Sequence, residues 1–255
     1  MDDTEGIILI LSCQKHKYNR LIKYKLNKNE YDSWKVIYVI GDISMSPDYK
    51  ITNENNMNFL YIKCEDSYIH LLKKLSLAIK YVIELYNPKK GILRCGDDLI
   101  FNENKLIKFL NKPQPDFVGQ TWDKSESNND RNSLKNILYD PFMVNYYENH
   151  KEDFDNPLHN LKNINIRKYQ KRPDLIGPAG VIYYLSIKAC NILVNHMKKI
   201  NYNIFFFDEF SKSYPYTIED VGVSFIMKFN EIHYTNNENM FDTKNALVQH
   251  TNEFK

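Results

Sequence analysis

The sequence predicts an α/β fold, a mostly parallel sheet with helices on both faces, and three observations predict it. Short apolar runs without polar alternation recur at 7–11, 36–40 and 59–62, as strands buried on both faces require. A long helical-period pattern follows the third run. Strands and helices then keep alternating, the arrangement of a parallel, nucleotide-binding sheet.

Ile7-Ile8-Leu9-Ile10-Leu11 is the first strand and Val36-Ile37-Tyr38-Val39-Ile40 the second, ending at Gly41-Asp42. Phe59-Leu60-Tyr61-Ile62 is the third. Tyr68, Leu71, Leu72, Leu75, Ile79, Val82, Ile83 and Tyr86 then fall at helical spacing, with Lys73, Lys74, Lys80 and Glu84 between them, and Pro88 stops that helix. Gly91-Ile92-Leu93 leads into Cys95-Gly96-Asp97-Asp98, and Asn102 caps a helix carrying Leu106, Ile107 and Leu110. Beyond it, Phe117-Val118-Gly119 is a short strand and 124–133 a polar, mobile loop. Residues 149–173 are polar and end basic at Arg167, Lys168, Lys171 and Arg172. Gly177-Pro178-Ala179-Gly180 breaks structure, 181–185 is a strand, and Ser186 caps a helix to about 197. No repeat or linker divides the chain, so 1–255 reads as a single domain.

Composition narrows the classes. A net charge of +2 supplies no field for nucleic acid or a membrane surface. No run reaches the ~18 apolar residues of a spanning helix, and acids precede the first apolar run, unlike a signal peptide. Cys13, Cys64, Cys95 and Cys190 lack metal spacing and read as free thiols in a reducing compartment. The expectation is a soluble, cytoplasmic protein.

The chemistry centres on Asp97 and Asp98. Adjacent carboxylates at a strand end face the ligand crevice of such a sheet and repel each other unless a cation sits among them. The competing reading is a pair of solvated turn acids, but Asn102 already takes the capping role. A Gly-Asp-Asp triplet also occurs in RNA-dependent polymerases, which need a hairpin around it; here a helical pattern follows instead.

Several segments now align in order with one family. Glu65-Asp66-Ser67-Tyr68 with Leu71 and Lys74, Arg94-Cys95-Gly96-Asp97-Asp98-Leu99-Ile100-Phe101, Asp116-Phe117-Val118-Gly119, the 177–186 stretch GPAGVIYYLS and Glu219-Asp220-Val221-Gly222 together resemble the glycosyltransferase family 31 type. That family comprises the β-1,3-galactosyl- and N-acetylglucosaminyltransferases and their Fringe-like relatives. The resemblance implies a GT-A-like, Rossmann-like fold, with 1–112 a nucleotide-binding half and 113–255 an acceptor-binding half. It implies an inverting, metal-dependent glycosyltransferase that moves a hexose or N-acetylhexosamine from a UDP-sugar to a glycan hydroxyl, in a β-1,3 bond. Gly96 stands where the family's Asp triplet has its first acid, and the family's membrane anchor is missing.

Mn²⁺ or Mg²⁺ takes about six oxygen or imidazole ligands, of which a diphosphate can give two. Asp98 is the expected carboxylate ligand, and His250, after the strand-like Ala246-Leu247-Val248, the expected imidazole; His233 is the other candidate. Asp97 is expected to bind ribose or to support the ligands. Ser12 and Arg20, at and beyond the end of the first strand, and Lys74 are expected at the nucleotide. By resemblance Asp220 is the general base and Glu219 its neighbour, although Thr217-Ile218-Glu219-Asp220 also fits a capping box. The basic residues between Lys162 and Arg172 read either as diphosphate contacts or as a solvated loop. His70, His150, His159 and His196 are assigned to surface or helix positions. The alternatives are an inactive sugar- or nucleotide-binding protein on this fold, and a nucleotidyltransferase. The latter would need a Gly-rich phosphate loop near the N-terminus, and 11–20 holds no glycine.

Overall fold

The structure, a computed structural model, describes residues 4–121, 154–161 and 175–251. In chain order the elements are β1 (Gly6–Leu11), α1 (Arg20–Tyr24), β2 (Glu30–Tyr31), β3 (Trp34–Gly41), β4 (Tyr49–Glu54), β5 (Met57–Ile62), α2 (Leu71–Tyr86), β6 (Gly91–Cys95), β7 (Leu99–Phe101), α3 (Glu103–Leu110), β8 (Phe117–Gly119), β9 (Ile182–Ser186), α4 (Ile187–Lys199), α5 (Glu219–Phe229), β10 (Tyr234–Asn236) and β11 (Val248–His250).

A nine-stranded sheet runs in the order β10-β8-β9-β6-β1-β3-β5-β4, with β2 on β3. β6, β1, β3 and β5 are parallel neighbours, while β9 lies antiparallel between β6 and β8. The chain therefore builds outward from β1 through β3 to β5 and then returns to place β6 on the other side of β1. That reversal makes the carboxyl ends of β1 and β6 the switch point of the sheet, where open α/β folds bind ligands.

The side-chain period of two assigns the core. Ile7, Leu9, Leu11, Ile37, Val39 and Ile92 face one buried cluster, shared with Leu72, Leu75 and Ile79 of α2, Leu193 of α4 and Ile226 of α5. Ile8, Ile10, Val36, Tyr38, Ile40 and Leu93 face the other, with Leu21 of α1 and Leu106 and Leu110 of α3. Both faces are covered, so the unbroken apolar runs and the expected helices on both faces have one cause.

Local signals end the elements as the sequence predicts. Asn102 accepts from Lys105 N at the start of α3, and Ser186 from Ala189 N at the start of α4. Asn87 closes α2 in the left-handed conformation at φ 43°, one residue before Pro88.

The structure adds strands that the sequence reading does not assign and places one histidine differently. Residues 49–54 form an edge strand although they do not read as one, because hairpin pairing with β5 overrides their polar pattern. Leu99-Ile100-Phe101, which the sequence reading does not assign, is a strand, because β11 pairs with it in a separate two-stranded sheet. The Asp pair thus lies between strands of different sheets and not in a hairpin. His70 is not on the surface: it is the buried residue before α2, bonded to Ser67 Oγ at 2.8 Å. Burial holds its imidazole down at about 4, so it is neutral.

Gly91 tests the β6–β9 contact. A Cβ there would stand 2.1 Å from the Leu185 carbonyl oxygen, and its φ is +155°. Gly91→Ala is expected to lower stability by about 1–3 kcal/mol or more in a urea titration, because the obstacle is backbone. An unchanged midpoint would contradict this packing.

Candidate functional site

Ser12 follows β1 and Asp97 follows β6, so the two residues meet at the switch point. Ser12 Oγ donates to Asp97 Oδ2 at 2.7 Å, His16 Nδ1 lies 3.1 Å from the same oxygen, and Arg20 Nη1 donates to Oδ1 at 3.3 Å. Burial pushes the Asp97 carboxyl up, but the His16 and Ser12 bonds and the His16 and Arg20 charges outweigh it and hold the carboxyl below its usual range. The bond to Asp97 raises His16 to about 9. Asp97 therefore fastens the turn after β1 to the end of β6. His16 is a member of this site that sequence reasoning missed. Its spacing of four from Arg20, past a strand end, was the available signal.

Lys74 is buried beneath this turn. Its Nζ donates to the Ser12 carbonyl at 2.6 Å and to Asp66 Oδ1 at 2.7 Å. Asp66 also accepts from Gly41 N at 2.9 Å and Gln14 N at 2.8 Å. The pair ties the carboxyl ends of β1 and β3 to the start of α2. Lys74 supports the turn that carries Ser12, and its ammonium is spent on that support.

The strand β9 enters the same end of the sheet, since Ile182 pairs with Cys95 and Gly96 N donates to the Val181 carbonyl at 2.9 Å. Arg94 is buried one residue before that pair. Its Nη2 donates to Glu219 Oε2 at 2.9 Å, and its Nη1 to the Gly180 carbonyl and, at 3.3 Å, to that of Val181. Tyr183 OH donates to Glu219 Oε1. Burial pushes Glu219 up to about 7, opposed by Arg94 and reinforced by Asp220. Asp220, half-buried beside it, accepts from Gly180 N at 2.8 Å and Val221 N at 2.8 Å. The structure thus brings Asp220 and Glu219 to the sheet end that carries Asp97 and Asp98.

The capping-box reading of Thr217 is corrected. Thr217 Oγ1 donates to the Tyr214 carbonyl at 3.1 Å within a short turn opened by Pro215, so Ile218 precedes α5 with no side-chain cap.

Asp98 is half-exposed, and its carboxylate has no partner among the described residues. β11 runs antiparallel to β7 with His250 opposite Leu99, and Thr251 N donates to the Asp98 carbonyl at 3.0 Å. His250 Nδ1 is held by Asp242 Oδ2 at 2.7 Å. A metal on this ring would take Nε2, the arrangement in which a carboxylate orients a ligating imidazole. In a regular ladder His250 shares the face of Leu99, and Thr251 that of Asp98. The oxygen donors at Asp98 and Thr251 suit a hard divalent cation. No group of three His, Cys, Asp or Glu side chains is placed to hold a metal among the described residues. An ion here would need oxygens from its ligand.

The loop 124–133, the basic residues between Lys162 and Arg172, and His150 lie outside the described residues. His233 is exposed. Four free cysteines are present: Cys64, Cys95 and Cys190 are buried and Cys13 is half-buried. Among the described residues no helix is long and apolar enough to cross a membrane.

No family profile matches the chain, and no curated protein matches it. Solved structures do show a likeness. One, described as a glucose-1-phosphate thymidylyltransferase from Bacillus anthracis in complex with a sucrose, has 12% identity and a TM-score of 0.34, over 92% of this chain and 87% of that one. A likeness of that depth carries no argument about activity, substrate or family.

The Asp97 cluster sets a pH dependence. His16 has a folded value of about 9 against 6.5, so its contribution to stability is complete below pH 6.5 and is lost as pH rises through 9. Asp97, held below 3.8, loses its contribution only in stronger acid. Stability is therefore expected to fall by up to about 3 kcal/mol between pH 6.5 and 9 on account of His16. His16→Gln should flatten that fall in urea titrations across the range. Parallel curves for the two proteins would reject the pairing.

Proposed function

We propose that the protein is a metal-dependent, inverting glycosyltransferase of the GT-A type. It moves a hexose or N-acetylhexosamine from a UDP-sugar to a glycan hydroxyl in a β-1,3 bond. The observation that carries this reading is the convergence of Asp97 and Asp98 with Asp220 and Glu219 at the switch point of a mostly parallel sheet. The order of motifs that resembles family 31 supplies the reaction class.

In this reading Asp98 is the carboxylate for Mn²⁺ or Mg²⁺. His250 falls on the other face of the ladder with its Nδ1 held by Asp242, so Asp98 and the diphosphate oxygens, rather than His250, are the ligands of this reading. When bound there, the cation would supply positive charge for the departing diphosphate. Ser12 and Arg20, fixed by Asp97, shape the wall beside β1 where the nucleotide lies. Asp220 takes the acceptor's proton. Asp220 is half-buried, with its carboxylate bonded to Gly180 N and Val221 N, whereas Glu219 is buried and enclosed by Arg94 and Tyr183. Glu219 is therefore a positioning residue for Asp220.

A panel of nucleotide sugars, assayed for hydrolysis and transfer with Mn²⁺ or with EDTA, tests the proposal. At least one UDP-sugar should turn over only with the metal. Asp220→Asn should reduce transfer at least about a hundredfold with UDP affinity near normal, as loss of a general base does. Asparagine can still accept from Gly180 N, so stability should fall by only about 1 kcal/mol. Asp98→Asn should abolish most of the Mn²⁺-dependent rise in melting temperature given by UDP. Binding of Mn²⁺ and UDP without turnover of any donor would establish the inactive-binder alternative. Pyrophosphate release from a nucleoside triphosphate and a sugar phosphate would establish a nucleotidyltransferase.

A further inference from the structure

Thr251 is buried to 7% exposure, and its Oγ1 has no hydrogen-bond partner among the described residues. A buried hydroxyl without a partner costs roughly 1–3 kcal/mol, so one that persists in a fold asks for a reason. The ladder supplies its surroundings. The ladder ends with His250 opposite Leu99, and a bond from Thr251 N to the Asp98 carbonyl at 3.0 Å holds the next two residues beside each other. Directly paired residues on antiparallel strands project to the same face, with Cβ atoms about 4.5–5.5 Å apart.

The two side chains are complementary in a particular way. Asp98 is an acceptor only and carries a charge. The hydroxyl of Thr251 can donate one hydrogen bond. An anion alone is repelled by Asp98, and a cation alone could take the Thr251 oxygen but would leave its proton without an acceptor. A cation that carries an oxyanion uses both groups at once.

We propose that Thr251 is a ligand-binding residue of the crevice, whose hydroxyl donates to a diphosphate oxygen of the metal–diphosphate unit held at Asp98. The proposal rests on the metal-dependent reading above and adds a residue that the motif resemblance does not supply, since that resemblance ends at Gly222.

The test pairs Thr251→Val with Thr251→Ser in the full chain. Valine keeps the shape and removes the hydroxyl, whereas serine keeps the hydroxyl. Calorimetric titration with UDP plus Mn²⁺, and with inorganic pyrophosphate plus Mn²⁺, gives the affinities. Thermal melts without ligand give the stabilities. The expected result is an affinity five- to thirtyfold lower in Thr251→Val for both probes, within about threefold of wild type in Thr251→Ser. The ligand-free melting temperature of the valine variant should equal or exceed that of wild type, because no internal bond is lost.

Unchanged affinity in Thr251→Val, with Asp98→Asn still defective, would overturn the role of Thr251 alone. A valine variant that melts well below wild type would overturn it too, by showing that the hydroxyl is bonded within the chain. If wild type binds neither probe with Mn²⁺, the metal–diphosphate site itself falls and the proposal with it.

Discussion

The candidate site depends on the ion pair between Arg94 and Glu219. Arg94 belongs to the strand that ends at the Asp pair, and Glu219 opens the helix that carries Asp220. Their separation of 125 positions in sequence is closed by a 2.9 Å contact with both side chains at 3% exposure. Water is excluded from both groups, so each must be satisfied by the other and by its neighbours. The Gly180 and Val181 carbonyls accept from Arg94 Nη1 and the Tyr183 hydroxyl donates to Glu219 Oε1, while Arg94 Nε has no hydrogen-bond partner among the described residues. Removing one partner of such a pair typically costs about 3–5 kcal/mol. The same guanidinium therefore fixes the turn before β9 and the start of α5, and Asp220 closes the loop by binding Gly180 N.

A second clamp works across β1. Asp97 collects Ser12, His16 and Arg20, while the Lys74–Asp66 pair holds the same turn from below. Lys17 continues the turn outward: its ammonium binds Glu54 at 2.6 Å and lies about 5 Å from the rings of Tyr18, Phe59 and Tyr61. Charges at the centre of this crevice are thus committed to shaping it. The carboxylate left over is Asp98, which no described side chain engages. That division separates the acid that builds the site from the acid that no described side chain engages.

Much of the architecture was legible because burial on both faces writes itself as unbroken apolar runs. The strands at 7–11, 36–40 and 59–62, the α2 pattern and the caps at Asn102 and Ser186 needed only local rules. Edge strands were not legible. Residues 49–54 pair on one side and face water, so their sequence carries no apolar pattern. The site was partly legible. Adjacent acids at a strand end, and the Glu-Asp pair before an apolar run, marked the right residues. Their assembly was not readable from local pattern, because it rests on Arg94, His16 and Asp66, whose partners lie far off in the chain. Lys74 illustrates the limit: its placement on a helix face was evident, and its burial against the Ser12 carbonyl was not.

On the function proposed above, the metal and the nucleotide share one crevice at the carboxyl ends of β1 and β6. Paramagnetic broadening of backbone amide signals by Mn²⁺ in the presence of UDP, with the diamagnetic Mg²⁺ complex as reference, tests it directly. The strongest broadening is expected at Gly96, Asp97, Asp98, Gly180, Asp220 and Thr251, with much less at Gly6 and Gly91 at the opposite end of the sheet. Broadening centred elsewhere, or spread evenly over exposed carboxylates, would contradict it.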